Sequence, residues 1–488
     1  MVNPVLLLAV PMGLAFTVPV IERITGRVSR WVPVAAMLFN LVLCVRLIPA
    51  VLEGPVIVQL GGFVPPFGIN LYVGPLGLFF AGLIALAGLV ISVYSLTYIR
   101  TGPLARYHML YILLLVGATG VALTGDLFNL FVFFEILCIS SYALVAYNGD
   151  RAGLESSVKY LIQGSVGSSM LLVGIGMLYG IFGTLNMADI ARSVGMVDQG
   201  VLFVPLIFML GGLGVEAAIF PMNAWLPDAH SSAPSSISAV LSGIAIEVGL
   251  YAVARMVFTV FGISDLFLFL AFLGVLTLLI GEMCAFAQSN IKRMLAYSSI
   301  GQIGLILFAL AVASGVTVTG GLFQFVNHTF SKGLLFLSAG YLIYRSGSME
   351  ISSLQGMGRR MPLTSLAFTV GSFSLVGLPP FAGFPGKFLI VRGALERGGT
   401  VIVVLTGLVL LCTILEGAYF FRVVQALYFR EGISGGSGER APAAAAVAMI
   451  LLMMLILALG AYPQFAETFL RSAASDLMGA VEHVGSVL

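Results

Sequence analysis

The chain has 488 residues, of which 59% are hydrophobic and 9% charged, with a mean hydropathy of +1.09. A soluble domain is nearer half apolar and a quarter charged, so this composition excludes one and calls for an integral membrane protein. The net charge of +2, with no basic tract, excludes a nucleic-acid partner.

The N-terminal run MVNPVLLLAVPMGLAF has no basic n-region and no clean small-residue cleavage site, so it reads as a first span rather than a signal peptide. A span needs about 20 mostly apolar residues. With charges, Gly/Pro clusters and polar runs as breaks, fourteen candidates begin near residues 2, 31, 74, 109, 128, 154, 202, 235, 266, 295, 318, 364, 401 and 443. No soluble domain fits between them. The gap 52–73 alternates apolar residues with Gly and Pro, which predicts a short surface hairpin. The other long gap is 430–442. Cys44, Cys138, Cys284 and Cys412 lie far apart in apolar segments without a CxxC pair. They read as buried small hydrophobes, not as a disulfide framework, an iron–sulfur site or a zinc site.

Orientation follows the basic residues. Loops after spans 1, 3, 5, 9, 11 and 13 carry thirteen of them, among them Arg23, Arg27, Arg30, Lys292, Arg293 and Arg440. The opposite face holds Arg192, Arg392 and Arg397. The richer face is expected to be cytoplasmic in a prokaryotic-type inner membrane, with both termini outside.

Only four of the 23 basic side chains are lysine: Lys159, Lys292, Lys332 and Lys387. Lysine shifts its protonation when buried, whereas arginine stays charged. Three of the four fall inside predicted spans. Acids share that depth. Glu135 lies in the fifth span, Glu216 in the seventh, Glu247 in the eighth, Glu282 in the ninth and Glu416 in the thirteenth. His328 and Lys332 stand one turn apart in the eleventh, on one face. Each intramembrane charge costs at least ~2.5–3.5 kcal/mol, so a set this large predicts a hydrated polar path through the bundle.

Two spans are interrupted. IFPMNAWLP contains Pro221 and Pro227, and GLPPFAGFPGK contains Pro379, Pro380 and Pro385. Proline removes a backbone donor and opens the helix, which the membrane tolerates where protein or a cavity lines it. Glu216 precedes the first break and Lys387 follows the second. The breaks fall in spans 7 and 12, five apart, which predicts two inverted five-helix repeats, spans 4–8 and 9–13. The expected organisation is residues 1–108 for spans 1–3, 109–262 and 263–428 for the repeats, and 429–488 for the last span.

GDLFNLFVFFEIL, FPMNAWLPDAHSSAPSSISAVLSG, NIKRMLAYSSIGQIG, NHTFSKGLLFLSAG and GLPPFAGFPGKF resemble, in order, the antiporter-like subunits of the complex I superfamily. That group includes the D-type component of Mrp antiporters and the equivalent subunits of complex I and membrane-bound hydrogenases. The resemblance implies fourteen helices and ion translocation. It makes Glu135 the key glutamate of span 5, Lys159 a lysine near it, His328 and Lys332 polar positions of span 11, and Lys387 part of the terminal proton route. An earlier histidine of span 11 is here Gln324. Three positions depart from the family pattern. Glu216 and Glu247 stand where spans 7 and 8 usually carry lysines, and Asn223 replaces a histidine. Two cations have become two acids, so the usual Glu/Lys pair cannot form. The expectation is an acidic chain of Glu135, Glu216 and Glu247 that passes a proton or a sodium ion.

GIGMLYG at 174–180 has glycines spaced for helix packing rather than for a dinucleotide, and no Walker loop is present. Asp228 and His230 are expected to hydrogen-bond at the end of the broken helix rather than to bind metal. His108, His230, His328 and His483 offer no facing pair for haem. The chain is expected to hold no cofactor. Other membrane subunits and the lipid bilayer are expected partners, with iron–sulfur or nickel centres in hydrophilic electron-transfer subunits if the complex is redox-driven. A stand-alone Mrp-type antiporter and a transport-inactive scaffold are the alternatives.

Overall fold

Without water to satisfy backbone N–H and C=O groups, a chain this apolar folds as helices that close their own hydrogen bonds. The computed structural model describes residues 2–262, 266–430 and 441–485. Most of the 430–442 gap, Arg440 included, lies outside these residues, as do the side chains of Arg27 and His483.

The helices in chain order are α1 (Leu6–Thr25), α2 (Val32–Glu53), α3 (Pro75–Tyr98), α4 (Leu104–Leu123), α5 (Leu127–Val145) and α6 (Arg151–Phe182). Next come a short α7 (Met187–Ser193), α8 (Gln199–Glu216), α9 (Trp225–Ser232), α10 (Ser235–Phe261), α11 (Leu266–Ala287) and α12 (Ile291–Ala311). The chain continues through α13 (Gly315–Ser346), α14 (Pro362–Val376), α15 (Gly383–Arg397), α16 (Thr400–Phe429), α17 (Ala443–Ala461) and α18 (Gln464–Gly485). Helix starts precede the apolar runs because polar caps stand in front of them. Asp126, Asp150 and Asn290 accept backbone N–H groups at the N-termini of α5, α6 and α12.

Twelve helices among the described residues are long and apolar enough to cross a membrane. The two other predicted spans fall on α13 and on the α14–α15 pair. Gln324, Asn327, His328, Ser331 and Lys332 keep α13 too polar to count by hydropathy, and α14 spans only 15 residues. Yet α13 is the centre of the bundle, buried at every position from Thr317 to Leu342. Helix α10 beside it is buried at every position but Phe258, whereas α1, α6, α16 and α17 present most of their surface outward.

The predicted hairpin is present. Strands β1 (Val56–Gln59) and β2 (Asn70–Val73) pair antiparallel, Val56 opposite Val73 and Gln59 opposite Asn70. Val2, Leu7, Val73 and Phe469 share one apolar cluster, so both ends of the described chain lie at the hairpin end of the bundle. Helix α18, which follows the last predicted span, docks there. Its Asp476 accepts hydrogen bonds from Tyr72 Oη at 3.1 Å and from Leu76 N at 2.9 Å, capping α3 from 400 residues away. Burial and that carboxylate push the Tyr72 phenol up, so it stays a donor.

Lys292 departs from its expected loop. It is the second residue of α12, buried, and its Nζ donates to Ala233 O. The loop between α11 and α12 is so short that the lysine enters the helix and bends under the α9–α10 turn.

Candidate ion-translocation site

The first break runs from residue 217 to 224, between α8 and α9. Ala218, inside it, holds a left-handed conformation (φ 53°) that L-residues rarely adopt. Pro221 sits in the opened segment. Pro227 does not, because it is the third residue of α9, where the first turn has no use for its N–H. Opening the backbone frees carbonyls, and side chains cap them. Trp225 Nε1 donates to Val215 O at 2.8 Å, and Gln163 Nε2 to Met222 O at 2.9 Å. Tyr160 stacks flat on Trp225, with ring centroids 3.7 Å apart, and its hydroxyl donates to Glu216 Oε1 at 2.7 Å. Cys138 Sγ donates to the other oxygen at 3.5 Å. Glu216 is 1% exposed and ends α8 with two neutral donors and no ion-pair partner among the described residues. Glu135 stands one turn before Cys138, close enough to bear on Glu216 electrostatically, with Oε1 buried and unpartnered.

Helix α10 lies between the first break and α13. A methyl at Gly249 would meet Ala217 N at 2.7 Å, so glycine lets α10 press against the first break. A methyl at Gly243 would meet Thr329 O at 3.0 Å, so α13 lies equally close on the other side. Between these glycines, after a π-helical turn over Leu241–Ala245, comes Glu247. Its carboxylate bonds His328 Nδ1 at 2.6 Å and accepts from Thr329 Oγ1 at 2.7 Å. The acid of the eighth predicted span therefore faces α13 and the second half. His328 Nε2 is buried without a partner.

One turn beyond, Lys332 is fully buried. Its Nζ donates to Leu295 O at 2.9 Å and to Ser298 Oγ on α12. The expected shared face of His328 and Lys332 thus splits, the histidine turning to α10 and the lysine to α12. Lys332 is within electrostatic reach of Glu282 on α11 and Glu416 on α16. Glu282 is fully buried beside the Tyr419 hydroxyl, and its Oε1 packs against Gly301, where any Cβ would overlap it. Glu416 accepts from Gln302 Nε2 at 2.7 Å and pairs with Lys387 Nζ at 2.6 Å. Gln302 in turn accepts from Gln324 Nε2 at 2.6 Å.

The second break, residues 377–382, repeats the first in outline. Pro379 and Pro380 sit in the opened segment, and Pro385 is the third residue of α15, as Pro227 is of α9. The freed Val376 carbonyl is capped at 3.3 Å by Lys387 Nζ, the nitrogen that also pairs with Glu416.

Other predicted residues gather elsewhere. Lys159 is not beside Glu135. Its side chain is 52% exposed and pairs with Glu155 at 2.8 Å and Asp228 at 3.1 Å. Asp228 also accepts from Arg293, so its carboxylate is hydrogen-bonded at the end of the broken helix. His230 is fully buried, stacked on Phe336 at 4.9 Å, with neither ring nitrogen partnered. Next to it, at the end opposite the hairpin, Tyr98, Ser232, Ser235 and Lys292 help line a polar cavity of roughly 330 Å³. Asn223 is buried within the first break. Sequence reasoning missed Tyr160, Trp225, Cys138, Ser298, Gln302 and Thr329 as holders of the charged groups. Gln302 and Ser298 stand inside the motif NIKRMLAYSSIGQIG, where polar side chains in an apolar helix were the available signal.

The family described as NADH:quinone oxidoreductase/Mrp antiporter, transmembrane region, matches residues 124–412. The chain is 34% identical over 438 residues to the N-type component of the NADH-quinone oxidoreductase of Desulforudis audaxviator, covering 88% of this chain and 86% of that one. It is 31% identical over 436 residues to the D-type component of the Na(+)/H(+) antiporter of Bacillus subtilis, covering 88% of each. Among solved structures, it superposes with a TM-score of 0.92 and 39% identity on a chain of an archaeal membrane-bound sulfane sulfur reductase, a respiratory membrane complex, covering 99% of both.

Proposed function

From the premise that the chain belongs to the NADH:quinone oxidoreductase/Mrp antiporter transmembrane family, we propose that it is the ion-translocating, antiporter-like subunit of a multisubunit, redox-driven membrane complex. The observation that carries the reading is one line of buried and half-buried ionisable groups through the bundle. It runs from Glu135 and Glu216 across α10 to Glu247 and His328, then to Lys332, Glu282, Glu416 and Lys387. Groups this costly persist at membrane depth where they carry charge. The line moves H+ or Na+. Lys159, with Asp228, serves its rim.

The finer organisation rests on the same pattern. The α13 helix and the α14–α15 pair are the thirteenth and fourteenth crossings. The matched breaks, each with proline in the third position of its second half-helix, support inverted repeats over 109–262 and 263–428, flanked by 1–108 and 429–488. The membrane is a prokaryotic inner membrane, with the hairpin end outside. Iron–sulfur or nickel centres belong to hydrophilic partners. The higher identity to a chain of a respiratory complex, 39% against 31% for the Mrp relative, favours redox drive. A stand-alone Mrp-type antiporter is the second reading, which that 31% likeness supports.

The test is transport by the purified complex in inside-out vesicles. Glu216→Gln is expected to abolish coupled H+ or Na+ movement with assembly intact. Wild-type coupling in that variant would leave this half a scaffold. Co-purifying subunits with iron–sulfur or nickel signals separate a redox-driven complex from a stand-alone antiporter.

A further inference from the structure

Glu135, Cys138 and Tyr142 stand at i, i+3 and i+7 on α5, so three protonatable side chains line one face. Opposite them, Glu216 receives the Cys138 thiol on one oxygen and the Tyr160 hydroxyl on the other. Glu135 Oε1 is buried and unpartnered, and the buried Tyr142 hydroxyl lies against the Cys138 thiol. Cys138 is 1% exposed, so bulk water does not reach its sulfur. No lysine, arginine or histidine forms an ion pair with Glu135 or Glu216 among the described residues. Neither acid therefore has a cationic side chain to balance its charge among the described residues.

We propose that the Cys138 thiol relays the transported proton between Glu135 and Glu216, with Tyr160 holding the receiving carboxylate in place. The inference rests on the reading of Glu216 as a carrier and adds the step that loads it. A thiol suits the task because it both donates and accepts weakly, so neither state traps the proton. In the transfer, the Glu135 side chain, which makes no hydrogen bond to Sγ in this structure, turns toward it; its carboxylic proton bonds to Sγ while the existing S–H bond breaks and its hydrogen passes to Glu216 Oε2. One S–H bond forms and one breaks. Glu135 ends as a carboxylate, Glu216 as a carboxylic acid, and the sulfur keeps its oxidation state. The new S–H bond faces Glu135, and rotation of the thiol back toward Glu216 readies it for the next proton.

The test compares wild type, Cys138→Ala, Cys138→Ser and Glu216→Gln in the assembled complex, reading proton transport against pH together with the infrared S–H stretch. The Cys138 band is identified by its loss in Cys138→Ser. Cys138→Ala is expected to lose about a hundredfold in transport, the low end of what a positioned proton-transfer group contributes. Cys138→Ser, which keeps a donor and acceptor, is expected to restore most of it with a displaced pH profile. Glu216→Gln is expected to shift the Cys138 S–H band, because its acceptor changes from carboxylate to amide. Wild-type transport in Cys138→Ala, with Glu216→Gln dead, overturns the relay and leaves the carrier intact. Wild-type transport in Glu216→Gln overturns the carrier itself. If Cys138→Ala fails to assemble, an unshifted S–H band in Glu216→Gln overturns the relay instead.

Discussion

Replacing Lys387 by methionine removes one nitrogen with two duties. It leaves Glu416, whose side chain is 2% exposed, with Gln302 as its remaining donor, and it uncaps Val376 O at the second break. At 2.6 Å, two unit charges in an effective dielectric of 20 attract by about 6 kcal/mol. Desolvation offsets much of this, and removing one partner of a buried pair costs about 3–5 kcal/mol because the other charge is stranded. Lys387→Met is therefore expected to lower the thermal midpoint of the purified complex clearly and to stop transport. Adding Glu416→Gln removes the stranded charge, and the double variant is expected to regain most of the stability and none of the transport. Heating in detergent followed by size-exclusion measures the first effect, and vesicle transport the second. A single variant as stable as wild type, or a double variant less stable than either single, would refute the reasoning.

Three further outcomes follow from particular contacts. Tyr160→Phe keeps the stack on Trp225 but loses the bond to Glu216; bonds to charged groups contribute about 1.5–3 kcal/mol, so transport should fall tenfold or more with assembly intact. Unchanged transport would show that Tyr160 does not hold the acid. Lys159→Ala breaks solvent-exposed, screened pairs, so stability and transport should stay near wild type. A loss matching that of Glu216→Gln would return Lys159 to the ion path. Asp476→Ala removes the acceptor of Tyr72 and Leu76 and should loosen α18, measured as faster proteolysis within 464–485, while transport persists. Equal protease resistance would mean that α18 is held by its apolar face alone.

The sequence fell short on direction rather than on depth. Span starts, both breaks and the hairpin were legible because proline, glycine and hydropathy act locally. Lys159 was misplaced because α6 runs for 32 residues, more than a membrane needs, so a lysine eight residues inside the helix still reaches its polar rim. Lys292 was misplaced the other way, a charge beside a loop that the fold covers. Cys138 read as a small hydrophobe, and by burial it is one. That its sulfur points at Glu216 depends on the azimuth of α5 against α8, which no local pattern encodes. The pairing of Glu247 with His328 has the same origin, because the π-helical turn before Glu247 alters the register that a regular helix would give it.

The two breaks share a backbone solution and differ in chemistry, and the difference bears on mechanism. Each places proline in the first turn of its second half-helix and needs a side-chain donor for a freed carbonyl. In the first break that donor is the neutral indole of Trp225, so the backbone cap is independent of any proton. Glu216 can then gain or lose its cargo while Val215 O stays satisfied. In the second break the donor is Lys387, which also neutralises Glu416. Any displacement of Lys387 Nζ therefore acts on the partner of Glu416 and on the cap of Val376 together. Charge movement and backbone opening are thus separable at Glu216 and joined at Lys387. On the proposed function, the lysine at the second break is where passage of an ion would be coupled to helix geometry, whereas at the first break the acid would carry its cargo with the backbone cap unchanged.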